Sequence, residues 1–149
     1  MRVVVQRVSE AAVAVDGNEI ARIARGFVVL AGFGRDDDDA RIDWMARKVA
    51  SLRIFEDETG RMAAGLEAVG GEILVVSQFT LYGDVRKGAR PGFDKSAPPE
   101  QARLLYERFV TSLRAVFPGV VTGEFQAHMH VSLVNDGPVT ILVDNDTPR

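Results

Sequence analysis

The sequence predicts an α+β protein built from mixed or antiparallel sheets with helices packed on one side. Three observations carry this. Short apolar runs of strand length cluster at both ends of the chain, between positions 3 and 31 and again between 128 and 143. Two longer stretches, 42–52 and 102–116, repeat their apolar residues at helical spacing. The elements do not alternate strand and helix, as a simple parallel α/β protein would. A chain of 149 residues favours one domain with a real core, so a single domain over 1–149 is expected.

Val3, Val5 and Val8, then Val13 and Val15, predict two short strands at the start. Asp16-Gly17-Asn18 is a hairpin signal, and Glu19 to Ile23 supplies the next strand. Phe27 to Ala31 is continuously apolar, which predicts a strand buried on both faces. Asp36 to Asp39 lead into Ile42, Met45, Ala46, Val49 and Leu52. Acids suit the positive end of a helix dipole, so a helix starts here. Arg53 to Glu56 reads as a strand, Asp57 to Gly60 as a turn and Ile73 to Ser77 as a strand. Val85 to Lys95 is a loop rich in glycine and basic residues. Ser96 is the expected cap of a second helix, with Pro98 and Pro99 in its first turn. Ala102, Leu105, Phe109, Leu113 and Val116 form its apolar stripe, and Pro118-Gly119 ends it. Two final strands, His128 to Val134 and Val139 to Val143, bring the total to about eight strands and two long helices.

The net charge is −3, from 18 basic and 21 acidic residues. A local basic patch remains compatible with this; a uniformly cationic surface does not. With no cysteine, disulfides, zinc-thiolate sites and cysteine nucleophiles are excluded. Gln6, Arg7 and Glu10 interrupt any signal-peptide core at the start. No apolar run is long enough to cross a bilayer. A cytoplasmic protein is expected.

Gly32-Phe33-Gly34 begins like a dinucleotide fingerprint, but the third glycine position is Asp37 and four aspartates follow. A turn before a helix is the better reading. His128 and His130, the only histidines, share a face if they lie in a strand, with Glu124 on the same parity. Two such histidines are more often surface residues than metal ligands. Ser77 lacks the Gly-x-Ser-x-Gly elbow of a serine hydrolase. Arg86, Lys87, Arg90 and Lys95 fall within ten residues, interleaved with Phe93. Such a loop is either simply solvated or a sequence-independent contact for phosphates.

Two polar segments stand at strand ends, 58 positions apart: Ser77-Gln78-Phe79-Thr80-Leu81 and Asn135-Asp136-Gly137-Pro138-Val139-Thr140. Neither offers an evident general base. Together with the opening Met1-Arg2-Val3-Val4-Val5-Gln6-Arg7-Val8 and with Lys87-Gly88 and Arg90-Pro91, they closely resemble the D-aminoacyl-tRNA deacylases over essentially the whole chain. The resemblance implies a β/β/α three-layer domain forming a homodimer without metal or cofactor. Its substrate would be the 3′ acceptor end of tRNA carrying a D-amino acid or glycine, with neither membrane nor DNA as partner. It assigns catalysis to Ser77, Gln78, Phe79 and Thr80. It assigns chiral selection to a cis Gly137-Pro138 inserted into the partner subunit's pocket, supported by Asn135, Val139 and Thr140 and held by Arg7. The basic loop Arg86, Lys87, Arg90 and Lys95 becomes a candidate tRNA contact. Gln126 and His128 depart from the family's usual run, where glycine and aspartate are common.

An aminoacyl ester is already reactive, so main-chain N–H groups at Gln78-Phe79-Thr80 are expected to stabilise the oxyanion. The substrate's ribose 2′-OH would orient the water. A nucleophilic Thr80 is the rival. Other readings are a deacylase for a mischarged L-amino acid using a trans Gly-Pro, a non-catalytic RNA-binding module, and a metal-dependent hydrolase using the two histidines.

Overall fold

The computed structural model describes residues 1–146; positions 147–149 of the expected 1–149 domain lie outside the described residues. The first strand, β1, runs unbroken over Arg2–Val15 instead of forming two short strands. Ser9 and Glu10, which break the apolar pattern, are exposed within it. The register against its neighbour shifts at that point, so a bulge absorbs the polar pair and the ladder continues. β2 is Asn18–Ile23 and β3 is Gly26–Gly32. Between β1 and β2, Asp16 and Gly17 take φ of 50° and 78°, as a two-residue primed hairpin turn demands.

Helix α1 spans Asp39–Ala50, and the Asp38 side chain caps it by accepting from the Arg41 N–H at 2.9 Å. β4 (Phe55–Glu56) and β5 (Met62–Ala64) form a small antiparallel pair. The strand expected from Arg53 shrinks to two residues, because the Ile54 carbonyl turns to meet Arg7. A short helix α2 (Leu66–Val69) precedes β6 (Glu72–Ser77), which ends in a 3₁₀ turn at Phe79–Tyr82. Helix α3 is Pro99–Val116, capped by Pro98 rather than Ser96. Ser96 falls too early, since each proline keeps the residue before it extended; its hydroxyl donates to the Ala97 carbonyl instead. β7 (Val120–Thr122) follows. The last strand, β8, is continuous over His130–Asp144, where two strands were expected.

β1 is the hub of a six-stranded sheet in the order β2-β1-β3-β6-β7, with β8 on the other edge of β1. Its residues 2–8 pair with β3 and residues 11–15 with β2, both antiparallel. β8 runs antiparallel along the same strand from Arg2↔Asp144 to Ala14↔His130. β3, β6 and β7 are mutually parallel. The sheet is therefore mixed, in the expected α+β class. No helix among the described residues is long and apolar enough to cross a membrane.

The continuous apolar run of β3 serves two cores. Phe27, Val29 and Ala31 face α1 and α3 together with Ile73 and Val75 of β6. Val28, Leu74 and Val76 point the other way, against Val8, Ala11, Val13 and Ile23, where β1 and β2 curl over the sheet. The helices supply Ile42, Met45, Val49, Phe109 and Leu113, all fully buried, each worth roughly 1.5–3 kcal/mol. Val116, expected in that stripe, is 45% exposed, since α3 ends there and leaves the core. Asp43 joins the two helices, accepting from Ser112 at 2.6 Å and Arg108 at 2.9 Å.

Candidate functional site

The parallel pairing of β3 with β6 delivers Ser77 beside Ala31 at the edge of the sheet. There the chain leaves β6, and the Gln78 N–H donates to the Ala31 carbonyl at 2.8 Å. That amide is committed to the fold, which leaves Phe79 and Thr80 as the members of Gln78-Phe79-Thr80 whose amides are free. Phe79 and Thr80 open the 3₁₀ turn, and their N–H groups have no partner among the described residues. They are unpaired for the reason that helix N-termini always are: no carbonyl precedes them at the right spacing. The Gln78 side-chain amide donates to the Thr80 hydroxyl.

The turn is clamped from below. Gly32 lies so close that a Cβ there would stand 2.9 Å from the Gln78 carbonyl, and one at Gly34 would stand 2.9 Å from the Tyr82 hydroxyl. This close approach is what Gly32-Phe33-Gly34 provides, in place of a nucleotide loop. Arg2 stacks over the Tyr82 ring at 4.6 Å and donates to the Leu81 carbonyl at 3.3 Å. Burial, aided by the hydrogen bond to Asp146, pushes the Tyr82 hydroxyl pKa far up, so it remains a donor.

Ser77, Gln78 and Phe79 line a cleft of about 780 Å³. Phe93 of the basic loop lines it too, with its ring 5.0 Å from that of Phe79. Pro98, which caps α3, Pro99 and Ala102 within that helix, and Phe125 to Met129 form further walls. The sequence reading missed Phe93's packing on Phe79 and the whole contribution of Phe125 and Met129. Only the departures noted at Gln126 and His128 pointed to that segment. His128 precedes β8 and lines the cleft; His130 opens the strand, with the two rings edge-to-face at 5.2 Å. No hydrogen bond joins either histidine to Ser77 or Thr80, and no group of three His, Cys, Asp or Glu among the described residues could hold a metal ion.

The second polar segment is a loop swollen out of β8. The ladder pairs Gln6 with Thr140 but Val8 with Asn135, so two steps on β1 face five on β8. Asp136-Gly137-Pro138-Val139 take up the excess. Within this loop the Gly137-Pro138 bond is cis and Gly137 has φ 146°, a region that L side chains rarely adopt. Asn135 braces it, accepting from the Val139 N–H at 2.8 Å and donating to the Thr140 hydroxyl at 3.1 Å. Arg7, buried on β1, donates to the Asp136 carbonyl at 2.8 Å and to the Ile54 carbonyl at 2.8 Å. Gly137 and Pro138 themselves are exposed.

One chain does not bring the two segments together. Ser77 stands level with Val3 of β1, across Ala31, whereas the loop stands level with Arg7 and three ladders away. At ~3.3 Å per residue and ~4.8 Å per ladder, the separation along the sheet is roughly 20 Å. The basic loop is also not uniform. Arg86 is held by Asp84 at 2.5 Å, and that hydrogen bond keeps the Asp84 carboxyl well below the usual range. Lys87, Arg90 and Lys95 are exposed and form no ion pair among the described residues.

The end of β6 thus opens on a cleft beside a turn with two unpaired amides, and no histidine or carboxylate among the described residues is hydrogen-bonded to Ser77 or Thr80. The comparisons give the chain its family. The model of D-Tyr-tRNA(Tyr) deacylase matches residues 4–144. A D-aminoacyl-tRNA deacylase of Symbiobacterium thermophilum is 59% identical over 146 residues, 98% of this chain and 97% of that protein. One of Thermotoga petrophila is 57% identical over 145 residues, 97% of each chain. A solved structure, described as a c-Myc DNA unwinding element binding protein, superposes over 100% of both chains with TM-score 0.93 and 41% identity. The chain belongs to the D-Tyr-tRNA(Tyr) deacylase family, enzymes that hydrolyse the ester bond of aminoacyl-tRNA.

Proposed function

We propose that this protein is a cytoplasmic chiral-proofreading enzyme that frees tRNA from D-amino acids and from glycine, acting as a homodimer of 1–149 domains. The observation that carries the reading is the pair of unpartnered N–H groups at Phe79, which lines the cleft, and at Thr80, the next residue of the same exposed turn. Water adds to the ester carbonyl, and these amides stabilise the oxyanion that forms. Collapse then breaks the bond to the ribose 3′-oxygen. The neighbouring 2′-OH orients the water and relays its proton to the departing oxygen. Ser77 and Gln78 shape the turn, and Thr80 contributes its amide rather than its hydroxyl. Losing one oxyanion donor typically costs about 3–4 kcal/mol of the barrier reduction.

Chirality is selected by the loop. Main-chain carbonyls at Gly137 and Pro138 accept from the substrate amine and leave no room for an L side chain at Cα. Since the loop stands roughly 20 Å from the amides of its own chain, it serves the cleft of a second copy. Arg7, Asn135, Val139 and Thr140 hold its shape. Glycine has no side chain to exclude, so Gly-tRNA is also cleaved. Lys87, Arg90 and Lys95, with Arg86, meet the acceptor end of the tRNA. Neither a membrane nor DNA enters this reading.

The test is single-turnover deacylation of D-Tyr-tRNA, Gly-tRNA and L-Tyr-tRNA. D-Tyr-tRNA and Gly-tRNA are hydrolysed and L-Tyr-tRNA survives. Comparable rates on D- and L-Tyr-tRNA refute the chiral wall, and a monomeric active enzyme refutes the shared site.

A further inference from the structure

A cationic feature outside the motifs stands behind the cleft wall formed by Phe125 and Gln126. Gln126 has φ 63°, a left-handed conformation uncommon for a residue with a side chain. From that backbone its side-chain oxygen accepts a hydrogen bond from Arg103 of α3 at 2.8 Å. The Arg103 guanidinium lies 4.9 Å above the ring of Phe125. That ring leans in turn on Tyr106 at 5.5 Å. An exposed guanidinium is thus fixed by one hydrogen bond and one aromatic face. Glu100 and Glu107 sit one turn away on either side of Arg103 along α3, and Glu124 lies on the Phe125 segment. Arg103 forms an ion pair with none of them. Its remaining N–H groups and its charge are left for an external anion. Gln126, Phe125 and His128 all line the cleft, and His130 continues the row.

We propose that Arg103, held in place by Gln126 and Phe125, is a phosphodiester-binding residue for the RNA end of the substrate. It would complement Lys87, Arg90 and Lys95 from the Phe93 side of the cleft. This rests on the reading of the cleft as the ester-binding site. The chemistry selects phosphate over other groups. The ammonium of the aminoacyl moiety repels a guanidinium and its neutral ester is a weaker acceptor than an anion, whereas the planar guanidinium fork matches phosphate oxygens in both charge and geometry. The Phe125 face is already covered by Arg103, so base stacking there is blocked.

The experiment compares D-Tyr-tRNA with 3′-O-D-tyrosyl-adenosine, which carries the same ester and no phosphate. With Arg103→Ala, KM for D-Tyr-tRNA is expected to rise about tenfold with kcat within about twofold, and the salt slope of log(kcat/KM) to fall by about one. Kinetics on tyrosyl-adenosine stay at the wild-type level. Arg103→Lys restores most of the salt slope. Gln126→Gly, which frees the guanidinium while suiting the left-handed backbone, raises KM for the tRNA without lowering the melting temperature. Unchanged KM and salt slope in Arg103→Ala overturn the proposal. So does an equal loss on both substrates, which would mark a structural role. Failure of the underlying reading looks different: the wild-type enzyme would leave the D-tyrosyl ester of either substrate intact.

Discussion

Replacing Arg7 by methionine keeps the aliphatic stem and deletes the two hydrogen bonds that tie β1 to the loop and to the Ile54 carbonyl. Both are 2.8 Å long and come from a charged donor, a type worth roughly 1.5–3 kcal/mol each. The two do not contribute equally to the loss. The Asp136 carbonyl lies on an exposed loop, where water can replace the guanidinium. The Ile54 carbonyl is buried and would be left without a donor, which alone costs about 1–3 kcal/mol. A total near 3 kcal/mol follows, and at about 3 °C per kcal/mol for a chain of this size the melting temperature should fall by about 9 °C. Arg7→Lys recovers less than half of this, because an ammonium lacks the fork that spans two carbonyls. Thermal unfolding followed by circular dichroism reads the first effect. Single-turnover deacylation of D-Tyr-tRNA reads the second, since the loosened loop should lose rate even well below the melting point. A melting temperature within about 2 °C of wild type would show that Arg7 is not what holds the loop.

Thr80→Ala removes the hydroxyl and keeps the amide, so the single-turnover rate should stay within about tenfold of wild type; a fall of about four orders of magnitude with the fold intact would make Thr80 the nucleophile. Gly32→Ala brings a Cβ to 2.9 Å from the Gln78 carbonyl; backbone cannot yield cheaply, so kcat should drop at least about tenfold while the protein still folds, and full activity would show that the turn's position is not critical. Asp146 gives a pH signature. Burial opposes its ionisation, but the hydrogen bonds from the N-terminal ammonium and from Tyr82 win and hold its carboxyl below the ordinary value. Its contribution to stability is therefore complete above about pH 4 and is lost as pH falls through the lowered value. The gap in melting temperature between wild type and Asp146→Asn should be open at pH 7 and close in acid; a gap independent of pH would refute the assignment.

Local pattern and motif revealed much of this, and the losses have physical causes. The strand at Phe27 to Ala31 was legible because a run apolar on both parities must be buried on both faces. Helix α1 was legible from its acidic start and the spacing of Ile42, Met45 and Val49. The break expected within β1 did not occur, since sheet pairing on both edges outweighs two polar residues. β7 was invisible: three residues in a parallel ladder are specified by their neighbours on β6, not by their own sequence. The two polar segments were legible as strand ends, but Asn135 to Val139 proved to be a swelling inside one strand. Period-2 reasoning cannot foresee that, because the excess shows only against the register of β1. Gln78 looked equivalent to Phe79 and Thr80 until the Ala31 carbonyl claimed its amide. Residues such as Phe125 and Met129 join the cleft by tertiary packing, for which hydrophobic character alone gives no signal.

The pairing of β1 with β8 has a consequence for how the protein is made. These two strands join positions more than a hundred residues apart, and the loop carrying Gly137 exists only as the excess of one against the other. During synthesis, residues 2–15 emerge first and must wait, with one edge unpaired, until residues 130–144 leave the ribosome. Contacts of such long range also form slowly. The turn at Phe79 and Thr80 can be assembled from β3 and β6 much earlier. A nascent chain would therefore hold that turn before it holds the loop proposed to select the substrate's hand, and the two coexist only once residues 130–144 have emerged. On the proposed reading, an enzyme acting on charged tRNA, the feedstock of the ribosome that is building it, would gain the loop that discriminates only after the turn that binds the ester.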